Sequence, residues 1–167
     1  SIPGVQEELV QALLDTGKPV VVVLMNGRPL TISKLTEQVP AIVEGWFLGT
    51  ETGNAIADVL LGKYNPSGKL TMSFPRNVGQ IPVFYNYRQS GRPGTDKLTK
   101  WTNRFIDSPV SPLYPFGYGL SYTTFSYSAP RVSQKEFSTN EILKVSVDVT
   151  NTGQYDGEET IQLYIRD

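Results

Sequence analysis

Tyr85, Asn86, Tyr87, Arg88 and Arg92 stand close together in a chain of 167 residues. They offer flat aromatic faces and hydrogen-bond donors, the kit for binding a sugar: rings cover its apolar side and donors meet its hydroxyls. Tyr85, Arg88 and Arg92 are therefore the candidate substrate-binding residues. The same stretch has a structural reading that the sequence favours, an extended strap held by its own aromatics. Two carboxylates also need weighing. Glu44 lies beside Trp46 at the end of a strand-like run, where it either frames a site or anchors a loop, and anchoring is the stronger reading. Glu51 lies in the turn before a helix and is most simply a partner of the helix dipole.

The chain has no Cys and no His. Cysteine nucleophiles, thiolate zinc sites and disulfides are excluded. So are Ser-His-Asp catalysis, imidazole metal sites and a histidine pH switch. No metal site and no cofactor is expected. A net charge of −1, from 15 basic and 16 acidic residues, gives no electrostatic basis for nucleic-acid binding. The longest apolar run, residues 20–25, is far too short for a membrane span. Residues 1–4 lack the basic and apolar regions of a signal peptide, and the absence of an initiator Met suggests a processed protein or an excised piece.

The elements that must position these residues read as two textures. In the first, Val5, Leu9, Ala12 and Leu13 fall on one helical stripe that Gly17 ends. Residues 19–25 are a β-branched run without alternation, the habit of strands covered on both faces, and Asn26-Gly27-Arg28-Pro29 turns the chain. A short helix over 32–39, a second strand over 41–47, a helix over 53–61 ended by Gly62, a turn at 65–68 and a third strand over 70–74 repeat the unit. In the helix, Ala55 and Ala57 allow close approach to a sheet. The expectation is a layered α/β arrangement, a mainly parallel sheet between helices. From Pro75 to Pro115 the periodicity disappears, as in a functional loop or linker.

The second texture begins near residue 124. Leu143, Val145, Val147 and Val149 alternate with polar residues, as do Ile161, Leu163 and Ile165, and with residues 125–132 they predict three antiparallel strands. Such a unit is too short for a whole sandwich, and both textures read as parts of larger domains. The 15 Gly and 12 Pro suit a chain of turns and short elements, while 39% hydrophobic residues support a packed core.

Five motifs give the chain a resemblance. They are Lys18-Pro19-Val20-Val21-Val22-Val23-Leu24-Met25-Asn26-Gly27-Arg28-Pro29-Leu30, Gly53-Asn54-Ala55-Ile56-Ala57-Asp58-Val59-Leu60, Tyr64-Asn65-Pro66-Ser67-Gly68-Lys69-Leu70, Phe74-Pro75-Arg76, and Leu113-Tyr114-Pro115-Phe116-Gly117-Tyr118-Gly119-Leu120-Ser121-Tyr122-Thr123-Thr124-Phe125. In this order they resemble the C-terminal part of glycoside hydrolase family 3, in the pattern of periplasmic β-glucosidases of Gram-negative bacteria. The resemblance implies a parent with an N-terminal barrel, an α/β sandwich and a C-terminal fibronectin type III-like domain. Residues 1–112 would be the C-terminal half of the sandwich, including a long loop over 75–112. Residues 113–123 would be an aromatic connection packed by Tyr114, Phe116, Tyr118 and Tyr122. Residues 124–167 would be the first strands of the fibronectin-like domain.

The resemblance further implies a retaining hydrolase that releases terminal β-linked glucose from a β-glucoside or oligosaccharide, in the periplasm or outside the cell. The family's nucleophile, an Asp of the barrel, and its acid/base, a Glu of loops preceding this segment, match no residue here. No catalytic residue is expected in the chain, and the segment alone is expected to be inactive. The rival reading is a non-catalytic carbohydrate-binding or structural module of a cell-surface protein.

Overall fold

The computed structural model describes residues 1–88, 91–92, 94–95, 101 and 103–165. Contacts divide the chain into two units. The first is Ser1–Ile56 with the described residues of 69–118; the second is Ala57–Gly68 with those from Gly119 on.

The first unit is a partial α/β arrangement. Its elements are α1 (Gln6–Leu14), β1 (Val21–Leu24), α2 (Ser33–Gln38), β2 (Ala41–Glu44) and the start of α3 (Thr52–Leu60). The β-branched runs do form parallel strands: β1 pairs with β2 in the register Val21↔Ala41 to Leu24↔Glu44. Gly17 takes φ 70° and Gly62 φ 72° where the two long helices end, the left-handed conformation that a glycine adopts without a Cβ clash.

The core is small. Leu24, Ile32, Leu35, Val39 and Phe74 are buried, and Phe74 is only 2% exposed. Around them pack Ile2, Val10, Leu14, Ile42, Trp46, Leu70, Leu113 and Tyr114. Here the helix reading needs correction. Of α1, Val10 and Leu14 face the core, whereas Val5 (67%), Leu9 and Leu13 of the expected stripe are exposed. Both rows are apolar ridges of one helix, and neighbouring elements decide which is covered. Ala55 and Ala57 are likewise exposed.

The third parallel strand is absent. Residues 70–74 pair instead with 113–118 in the antiparallel sense. Leu70 N donates to Tyr118 O at 2.8 Å and Gly117 N to Leu70 O at 2.7 Å; Phe74 N donates to Tyr114 O and Leu113 N to Phe74 O, both at 2.8 Å. These bonds set one edge of 70–74 on 113–118, and among the described residues 70–74 do not pair with β1 or β2. The parallel sheet therefore has two strands among the described residues.

In the second unit, β3 (Phe125–Tyr127) pairs antiparallel with β6 (Val149–Asn151), and β4 (Arg131–Val132) with β5 (Val145–Ser146). The expected continuous strands are thus each interrupted. Pro130 has no N–H for the ladder, and between the two pairs the Asp148 N–H donates to the Ser128 side chain, at Oγ, at 2.9 Å. Residues 161–165, expected as a strand, form none. Asn65 organises the turn 65–68: its Oδ1 accepts from Ser121 Oγ and Tyr122 N at 2.8 Å, and its Nδ2 donates to Asp156 O at 2.9 Å.

Candidate functional site

The loop that carries Tyr85, Arg88 and Arg92 is closed at its base. Gln80, only 3% exposed, accepts the Arg76 N–H on Oε1 at 2.8 Å. Its Nε2 lies 3.1 Å from the carbonyls of Pro109 and Val110 and 2.9 Å from that of Ser111. Arg76 Nε donates to the same Ser111 carbonyl at 2.9 Å. A buried amide with both ends used is costly to displace, so the two arms of the loop are held together where they leave the core.

Beyond the base, Tyr85 and Arg92 each rest on an aromatic ring. Tyr85 is 60% exposed and stacks one face on Phe116, with ring centroids 4.4 Å apart and an interplanar angle of 27°. Phe84 and Tyr87 pack at 5.7 Å. The Arg92 guanidinium lies over the Trp101 ring, 5.8 Å from its centroid, within the range of a cation–π contact. Arg88 is exposed. Gln89, Ser90 and Pro93 of the same stretch lie outside the described residues.

Sequence reasoning missed Gln80 and Trp101. The signal for Gln80 was one amide inside the apolar stretch 78–83; nothing in the sequence announced Trp101 as the platform for Arg92. Of the aromatics expected to pack the connection, Phe116 is half-buried, and Tyr118 and Tyr122 are exposed. The ring contacts of the 113–118 segment run within the first unit: Tyr114 on Phe74 at 6.3 Å, Tyr114 on Tyr118 at 4.8 Å, and Phe116 on Tyr85.

A second polar cluster sits at the C-terminal ends of β1 and β2, where α/β sheets place ligand sites. Glu44 is half-buried, and its Oε1 accepts the Trp46 N–H at 3.0 Å. Burial pushes its carboxyl above the usual carboxylate range, against the opposing effect of hydrogen bonds from the Trp46 N–H and the Asn26 amide. Trp46 has φ 49°, the one non-glycine residue with positive φ among the described residues, and its ring packs on Phe74 at 5.9 Å. Asn26 Nδ2 donates to Arg28 O at 2.6 Å. Glu44 thus fits the loop-anchoring reading. Glu51 precedes α3 and its Oε2 accepts from Asn54 Nδ2 at 2.6 Å.

A cavity of about 540 Å³ opens beside Asn26 and Arg28, walled by Ile2, Leu30, Val78 and Ile81. Among the described residues no three Asp or Glu side chains gather as a metal site, and no helix is long and apolar enough to cross a membrane.

Known proteins share this arrangement. The family description "Glycosyl hydrolase family 3 C-terminal domain" matches residues 1–122. A periplasmic beta-glucosidase of Salmonella typhimurium is 55% identical over 100% of this chain and 22% of its own length. A beta-xylosidase of Formosa agariphila is 51% identical over 98% of this chain and 22% of its own. The crystal structure of a beta-glucosidase from Listeria innocua in complex with isofagomine superposes with a TM-score of 0.84 at 45% identity, over 90% of this chain and 21% of that one. The chain spans about a fifth of the length of these relatives. With motifs, parallel β1–β2 pair and family match all falling on the same residues, the chain belongs to glycoside hydrolase family 3, as part of its C-terminal region.

Proposed function

We propose that this chain is the C-terminal portion of a retaining β-glucosidase that releases terminal β-linked glucose. The observation that carries the reading is the 55% identity to a periplasmic beta-glucosidase along the whole chain. Retaining hydrolysis uses two carboxyl groups about 5–5.5 Å apart, one as nucleophile and one as acid/base. In this proposal both belong to parts of the parent outside these residues, the nucleophile in an N-terminal barrel domain. The chain contributes framework and one sugar-facing loop, with Tyr85, Arg88 and Arg92 contacting the glycoside. Residues 1–112 are half of an α/β sandwich domain, 113–123 the connection, and 124–167 the first strands of a fibronectin type III-like domain. The parent works in the periplasm or is secreted, as the Salmonella relative's name supports.

A second reading, a β-xyloside as substrate, is favoured by the Formosa beta-xylosidase at 51% identity. One experiment addresses both. The segment replaces its counterpart in the Salmonella enzyme, and release of phenol from aryl β-glucoside and aryl β-xyloside is followed. The chimera is expected to prefer the glucoside, and the isolated 167-residue chain to release nothing above buffer. Tyr85→Ala, Arg88→Ala and Arg92→Ala in the chimera should each raise KM roughly fivefold, the equivalent of one contact of about 1 kcal/mol. A chimera that prefers the xyloside selects the second reading. Turnover by the isolated chain, abolished by removing one of its own acids, overturns the assignment of catalysis to the rest of the parent.

A further inference from the structure

The turns that follow β1 and β2 touch, and their contact is incompletely bonded. The Phe47 ring lies where a side chain at Gly27 would stand, 2.5 Å from the position of a Cβ. Beside it, the Asn26 amide stands close enough to the Glu44 carboxyl to oppose the effect of burial on it. Asn26 uses one amide N–H on Arg28 O, and Glu44 Oε1 takes the Trp46 N–H. Two atoms of this pair are buried with no partner: Asn26 Oδ1 and Glu44 Oε2. Both are acceptors. One hydrogen shared between these two buried acceptors would satisfy both.

We propose that Glu44 is a carboxylic acid in the folded chain and closes with Asn26 a cyclic acid–amide pair that latches the turn carrying Trp46. In this pair Glu44 Oε2–H donates to Asn26 Oδ1, while the second Asn26 N–H donates to the other carboxyl oxygen. One proton then satisfies both orphaned atoms and leaves the bonds to Trp46 N and Arg28 O untouched. Loss of that proton to solvent sets lone pairs against lone pairs in a half-buried site, which is unfavourable where no cation compensates. The charged groups around Glu44 supply no such compensation. The facing turn 26–29 has one charged side chain, the exposed Arg28. The 70–76 segment, packed under Trp46 through Phe74, has Arg76, which is committed to Ser111. Among the described residues Glu44 has no ion pair.

The latch acts on a backbone that needs holding. The left-handed Trp46 is an unfavourable conformation for a bulky residue, and the Glu44–Trp46 N–H bond is what ties it down. The raised tendency of Glu44 to keep its proton, caused by burial, agrees with this geometry. The sign follows. Stability contributed by the pair is complete below the ordinary carboxyl range near 4.5 and is lost as pH rises through the folded-state value.

The test uses the whole chain. Carbon NMR of ¹³C-labelled glutamate carboxyls follows each titration, with the Glu44 signal identified by its loss in Glu44→Gln. Glu44 is expected to titrate above the other glutamates; titration with them or below them overturns the proposal. Glutamine reproduces the protonated pair bond for bond, donating Nε2–H to Asn26 Oδ1. The urea midpoint of Glu44→Gln should therefore match wild type near pH 4 and exceed it near pH 8. A gap that does not change with pH, or a Glu44→Gln chain that fails to fold, overturns the latch. In a Trp101→Phe background, the fluorescence of Trp46 should shift with the same pH midpoint as the Glu44 carboxyl signal. A Trp46 signal flat across that midpoint shows that the pair does not hold the turn.

Discussion

The Gln80 side-chain amide donates to the Ser111 carbonyl at 2.9 Å, and Arg76 Nε donates to that same oxygen at the same distance. One main-chain acceptor is thus shared by two side chains that stand on the opposite arm of the loop. Gln80→Ala leaves this carbonyl with Arg76 alone and strips the Arg76 N–H of its acceptor. It should destabilise the first unit by about 1–3 kcal/mol, read as a lowered urea midpoint. Limited proteolysis should then cut faster between residues 81 and 108. Unchanged cleavage would mean that the base is held without Gln80.

Phe74 and Phe116 should respond differently to truncation. Phe74 is 2% exposed and touches both Trp46 and Tyr114, so Phe74→Ala should cost roughly 3–5 kcal/mol. Phe116 is half-buried and its described ring partner is the exposed Tyr85. Phe116→Ala should cost about 1–3 kcal/mol. Equal losses in denaturant melts would contradict the burial difference.

Asn65 serves three partners in the second unit, and its two ends can be separated chemically. Asn65→Asp keeps the acceptor for Ser121 Oγ and Tyr122 N but loses the donor to Asp156 O. It should be the milder change, while Asn65→Ala removes all three bonds at a cost of about 1–3 kcal/mol. Hydrogen exchange of the Tyr122 amide reads the difference: faster in Asn65→Ala, near wild type in Asn65→Asp.

Arg131 and Asp148 form a two-pronged ion pair, with N–O distances of 2.8 and 2.9 Å, across β4 and the β5–β6 turn. The Arg131 hydrogen bonds and charge hold the Asp148 carboxyl below its usual 3.8. A depressed acid stabilises the fold above its ordinary range and loses that contribution as pH falls through the folded value. The midpoint gap between wild type and Arg131→Ala should therefore narrow below about pH 3.8, and narrow again in high salt. Both groups are exposed, so the gap is small throughout.

Much of this was legible in the residues and some was not, for physical reasons. Residues 19–25 and 41–47 read as parallel strands because β-branched runs without alternation have few other uses, and β1 and β2 do pair that way. The run 70–74 differs in that Leu70, Met72 and Phe74 alternate with Thr71 and Ser73, and its partner was settled by the distant 113–118 segment, which no local pattern reports. On α1 two apolar ridges compete, and the sequence does not say that Val10 and Leu14 would be covered instead of Val5 and Leu9. In the loop, Tyr85 and Arg92 were visible as residue types. Phe116, the support of Tyr85, lies far along the chain, and Trp101, nearer to Arg92, had no pattern to mark it as a platform.

The pairing of 70–74 with 113–118, sealed by Gln80 and Arg76, turns everything between into a bubble on a closed stem. Apart from the Tyr85 ring stacked on Phe116, the described bonds of the stem are made by its own residues, and loop entropy rises only by about 0.6 kcal/mol for each doubling of length. The loop beyond Tyr85 can therefore be lengthened, shortened or exchanged while the bonds of the stem stay as they are. Inheritance can keep the framework and rewrite the loop, and a designer can graft a foreign segment at the same place without rebuilding the core.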